Sequence, residues 1–63
     1  MTKIYRGFEI DVVKNNDKEY PFLARCRIGK EIVEKRGYSK EQAISLTKSI
    51  IDFTLYAIEN KSN

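Results

Sequence analysis

The chain has 63 residues, 33% charged and 41% apolar, with twelve Lys and Arg against nine Asp and Glu for a net charge of +3. A chain this short makes one domain, spanning 1–63, and buries only about 60% of its unfolded surface, so it is marginal unless idealised, cross-linked or oligomeric. One cysteine and no histidine exclude an intrachain disulfide, the usual zinc sets and any Cys-His or Ser-His nucleophile pair.

The opening Met1-Thr2-Lys3-Ile4-Tyr5-Arg6 lacks an apolar run of signal-peptide length, and no window approaches the ~18 apolar residues of a membrane span. A cytoplasmic chain in a reducing setting is expected, with no membrane contact. From Lys3 to Lys14 the even positions Ile4, Phe8, Ile10 and Val12 are apolar, interrupted by Arg6, while Glu9 and Asp11 are odd. That alternation predicts one strand with one buried face. Lys14-Asn15-Asn16-Asp17-Lys18 then reverses the chain. A second strand over Glu19–Ile28 puts Phe22, Ala24, Cys26 and Ile28 in the inner phase, with Pro21 disturbing the ladder near its start.

Gly29-Lys30 suits a type II′ hairpin turn, and a third strand runs over Glu31–Arg36. Tight closure sets Cys26 opposite Val33 and Arg25 opposite Glu34. Matching inner residues across the first hairpin sets Phe8 against Cys26, Ile10 against Ala24 and Glu9 against Arg25. Both registers pair opposite charges on the outer face.

Ser39–Asn60 reads as a helix about 30 Å long. Ser39 and Gln42 form a capping box, and Tyr38 stands where a hydrophobic staple would meet Ala43. At 100° per residue the apolar residues cover an arc of about 200°, about twice the stripe that one small sheet needs. The excess is expected to meet a second chain through the flank of Ile44, Ile51, Leu55 and Ile58. The fold class is therefore α+β: a three-stranded antiparallel meander packed against one long C-terminal helix, β-β-β-α.

No side-chain set points to catalysis. Glu9 and Asp11 share a strand face with arginines rather than a cleft, and Cys26 falls among core positions with nothing to lower its pKa. No cofactor, metal or small-molecule substrate is expected. The outer sheet face offers Tyr5, Leu23, Arg25, Arg27, Ile32 and Arg36 as a partner surface. Its bases stand among Glu9, Asp11 and Glu34, which weakens long-range attraction to phosphates and favours a protein partner.

The run Gly37-Tyr38-Ser39-Lys40-Glu41-Gln42-Ala43 after a strand triplet resembles HicB-like antitoxin domains. It also looks like the arm-type DNA-binding domain at the front of tyrosine integrases, and Tyr5–Ile10 with Ile50-Ile51-Asp52 is similar to short bacterial β-β-β-α proteins. The resemblance implies the architecture and a non-catalytic role. The expected function is a protein-interaction or regulatory module that forms a homodimer through its helix. Two alternatives stand beside it: a nucleic-acid-binding domain using Arg25, Arg27 and Arg36, and a phage-type inhibitor of a host protein complex.

Overall fold

The computed structural model describes residues 2–60. Four strands, β1 (Thr2–Tyr5), β2 (Phe8–Lys14), β3 (Phe22–Ile28) and β4 (Glu31–Gly37), precede one helix, α1 (Lys40–Asn60). They form a single antiparallel sheet in the order β1-β2-β3-β4, covered on one face by α1. The class is α+β as expected, but the sheet has four strands rather than three. The first predicted strand is a hairpin, bent at Arg6 and Gly7, whose φ values of 50° and 87° are both positive. Positive φ at both central residues defines a type I′ turn, whose twist matches the strands it joins.

That turn changes faces. Tyr5 pairs with Phe8 and Lys3 with Ile10, so Tyr5 lies on the helix side of the sheet, not on the outer face. Ile4, opposite Glu9, moves outward and is 61% exposed. The second correction is to register. Residues 19–21 belong to the loop before β3, where Asp17 Oδ1 accepts from the amides of Glu19 and Tyr20 and the Asn15 amide donates to the Pro21 carbonyl. Closing β2 on β3 across this longer loop pairs Ile10 with Cys26, Asp11 with Arg25 and Val12 with Ala24. The shift is two residues from expectation, an even number that keeps every side chain on its face. The β3–β4 pairing is as predicted, with Cys26 opposite Val33, Arg25 opposite Glu34, and Gly29 at φ 63° in the turn.

The core is one sheet–helix layer. Ile10, Val12, Ala24 and Cys26 meet Ala43, Ile44 and Ile51, with Tyr5, Phe8, Phe22, Ile28 and Leu55 packed around them. Thr47 is the buried polar residue of α1, and its hydroxyl donates to the Ala43 carbonyl at 2.9 Å. The helix starts over the end of the sheet where Phe22 pairs with Gly37, with Lys40 Nζ 5.9 Å from the Phe22 ring. By Asp52 it has reached Tyr5 and Arg6 of the first hairpin. It thus crosses the sheet diagonally, and its last turn, with Tyr56 and Ile58 exposed, runs past the hairpin.

The start of α1 is capped as the sequence suggests, with one exchange of partner. Gln42 donates its amide to Ser39 Oγ at 3.1 Å, while Gln42 Oε1 accepts from the Tyr38 amide at 2.7 Å, one residue earlier than a standard capping box. Tyr38 is 65% exposed and is no staple. Gly37 closes the corner instead, so near Ala43 that an added Cβ would stand 2.6 Å from its backbone nitrogen.

Candidate functional site

A fastening between hairpin and helix decides which surfaces stay open. Tyr5 donates its hydroxyl to both carboxylate oxygens of Asp52, at 2.8 and 3.0 Å, and Arg6 Nη1 reaches Asp52 Oδ1 at 3.0 Å. Lys48 Nζ stands 5.0 Å from the Tyr5 ring. The bonds from Tyr5, then from Arg6, hold the Asp52 carboxyl below its usual range, and the same carboxylate pushes the Tyr5 phenol up. Because Asp52 is the stronger acid when folded, its contribution is complete above the unfolded value of about 4 and fades as pH falls through the lower folded value. Asp52→Asn should therefore flatten the acid end of the stability curve below about pH 4, read from urea midpoints. An unchanged acid slope in that variant would contradict the fastening.

With Lys48 and Asp52 turned toward the hairpin, the opposite flank of α1 is left to solvent. At 100° per residue, Leu46, Phe53 and Ala57, with the half-buried Ile50, fill that flank and Ser49 and Asn60 border it, and none is charged. In a chain whose residues are 33% charged, this is the one long exposed surface of α1 without a Lys, Arg, Asp or Glu. Leu46 is 41% and Phe53 70% exposed. Two of its polar groups are satisfied within the helix: Ser49 Oγ donates to the Ser45 carbonyl and Asn60 Nδ2 to the Tyr56 carbonyl. Burying such a flank leaves little polar surface unpaired.

This flank is not the predicted one. Ile44 and Ile51 are 7% and 0% exposed and belong to the chain's own core, with Leu55 packed beside them. Of that set Ile58 alone is well exposed. The reason is the missed strand: the β1–β2 hairpin brings Tyr5 and Phe8 under the side of α1 that a three-stranded sheet would have left bare. Of Leu46, Ile50, Phe53 and Ala57, spaced i, i+4, i+7, i+11, all but the half-buried Ile50 are the exposed remainder.

The outer sheet face keeps five of its six proposed residues. Leu23 is half-buried, while Arg25, Arg27, Ile32 and Arg36 are exposed. Tyr5 lies on the other side. Arg25 Nε and Nη2 both reach Glu34 Oε2 at 2.8 Å, and Asp11 is the β2 residue opposite Arg25 in the ladder. Arg36 lies 3.9 Å from Asp17. Arg27 has no ion pair among the described residues and lines an open concavity of about 470 Å³ with Glu9, Asp11, Arg25 and Ile32. Ile4 adds apolar surface that this face does not have in the predicted arrangement.

Cys26 is 1% exposed, and burial raises its thiol pKa, so it is an inert core residue. Among the described residues no group of three or more His, Cys, Asp or Glu could hold a metal ion, and no helix is long and apolar enough to cross a membrane. The fold and surfaces define a small α+β domain with an uncharged helix flank and a mixed-charge open sheet face. Comparison with protein families, with characterised proteins and with solved structures finds no match.

Proposed function

We propose that this chain is a non-catalytic interaction module that pairs with a second copy through the uncharged flank of α1 and leaves the outer sheet face for a protein partner. The carrying observation is that Leu46, Phe53 and Ala57 are exposed, with Ile50 half-buried between them, on a flank without charge. A two-fold contact sets a patch against itself, so a charged patch of either sign opposes pairing while a neutral apolar one supports it. Antiparallel helices would set Leu46 against Ala57 and Ile50 against Phe53, a large residue facing a small one at one level and a branched chain facing a ring at the other.

For the sheet face, the pairing of Arg25 with Glu34 and the nearness of Arg36 to Asp17 reduce the free positive charge that phosphate binding draws on. Ile4, Leu23 and Ile32 among those ion pairs suit a protein surface, whose apolar anchors carry energy and whose rim charges guide encounter.

Phe53→Lys tests the helix-flank reading, because a 70% exposed side chain can change with about 0.5 kcal/mol or less of effect on the fold itself. Light scattering during gel filtration at about 100 µM loading should report a dimer for the unmodified chain and a monomer for the variant, both with the same circular dichroism. A variant that elutes with the unmodified mass would remove the helix flank from the interface.

A further inference from the structure

We propose that the second copy docks along the β4 edge, joining two four-stranded sheets into one, with Val33 facing Val33 of the second copy. The proposal rests on the helix-flank reading above and adds the strand, the register and the charge pairs.

β4 is the free edge nearest α1: the helix lies over β4 and β3 more than over β2. Gly29-Lys30 closes a two-residue hairpin in which Ile28 pairs with Glu31. Hydrogen-bonded and non-hydrogen-bonded pairs then alternate, leaving the N–H and C=O of Ile32, Glu34 and Arg36 directed away from β3. An edge of this kind invites another strand unless its side chains forbid it.

The side chains of β4 favour one register over its neighbours; centred on Ile32, pairing would set Glu34, already held by Arg25, opposite Lys30 of the second copy. Two-fold antiparallel pairing requires that facing residues share a side of the sheet. Centred on Glu34, it sets Glu34 against its own copy; centred on Lys35, it sets lysine against lysine. Centred on Val33, it sets valine against valine and places Glu31 opposite Lys35 of the second copy, twice, on the helix side. Neither Glu31 nor Lys35 has an ion pair among the described residues, since their partners on β3 are Ile28 and Ala24. Ile32 then meets Glu34 across the outer face, using the free backbone groups of both. These charges thus act as a register lock.

The same arrangement brings the helix flanks together. With Lys48 and Asp52 directed to β1, Leu46 and Ile50 lie on the β4 side of α1. Because α1 crosses the sheet diagonally, its first turns over β4 and β3 stand nearest the seam, so Leu46 is closest to the second copy and Phe53, beside the hairpin-bound Asp52, is farther from it. Strand edge and the first half of the helix flank form one continuous surface.

Charge exchange at Glu31 and Lys35 is the test, read as the dimer dissociation constant from sedimentation equilibrium. Glu31→Lys and Lys35→Glu alone should each weaken the dimer about tenfold, since each sets like charges opposite one another twice. The double exchange should return it to within about threefold of the unmodified value. In a Cys26→Ala background, which removes the thiol opposite Val33, Val33→Cys should form an interchain disulfide under mild oxidation and Ile32→Cys should not. Single exchanges without effect, in a chain that Phe53→Lys still dissociates, would overturn the β4 edge and leave the helix flank standing. A unmodified chain that is monomeric would remove both.

Discussion

Truncating Ile51 to alanine is expected to destabilise the domain by about 3 kcal/mol, within the roughly 2–5 kcal/mol that such core truncations cost. Ile51 is 0% exposed and is, with Ile10, one of the largest fully buried side chains. It sits in the single core layer between α1 and the sheet, so the cavity cannot collapse without moving both. A domain of 63 residues has only roughly 3–9 kcal/mol of stability at 0.05–0.15 kcal/mol per residue, and the melting temperature should fall by about 15 °C or more. Ile58→Ala, at a 61% exposed position of the same helix, should shift it by no more than a few degrees. Equal shifts in the two variants would mean that α1 does not lie on the sheet by the face described.

The second large effect is expected at Gly37. An alanine Cβ there would lie 2.6 Å from the Ala43 nitrogen, 3.0 Å from its Cα and 3.0 Å from the Ser39 carbonyl oxygen, all main-chain atoms. No rotamer change can relieve such contacts, so β4 and the first turn of α1 must separate, at about 2–3 kcal/mol for overpacking of this kind. Gly29→Ala is the control, because nothing lies within 4 Å of a Cβ there and only its φ of 63° opposes the change. That strain is about 1 kcal/mol. Chemical denaturation should rank Gly37→Ala well below Gly29→Ala in stability, and the reverse order would contradict the close corner between β4 and α1.

How much of this could be read from the residues depends on how local each signal is. The cap at Ser39 and Gln42 and the Gly29 turn are set by a few adjacent residues, and both were legible, as was the Arg25–Glu34 pair that the tight turn dictates. The loop before β3 was less so. Pro21 marks a disturbance there, but Asp17 and Asn15 use their side chains and backbone to extend the loop, which sets the register two residues from the one that matching inner residues suggests. The Arg6-Gly7 turn was hidden because Ile4, Phe8, Ile10 and Val12 keep one phase across it, and arginine at φ 50° is not a turn signal in itself.

One missed turn then propagated. Folding β1 back put Tyr5 on the helix side and Ile4 outside, widened the sheet beneath Ile44, Ile51 and Leu55, and shifted the exposed stripe to Leu46 and Phe53. A helical projection states how wide an apolar arc is. Which part of the arc meets the sheet depends on how many strands lie beneath it, a non-local property.

Self-association is the central claim, and sedimentation equilibrium of the unmodified chain from about 5 to 500 µM tests it most directly. The account predicts a single reversible monomer–dimer equilibrium, with the dimer dominant at the upper end and a salt dependence confined to the Glu31–Lys35 pairs, because the helix flank in contact is uncharged. A monomer mass across the whole range would contradict it.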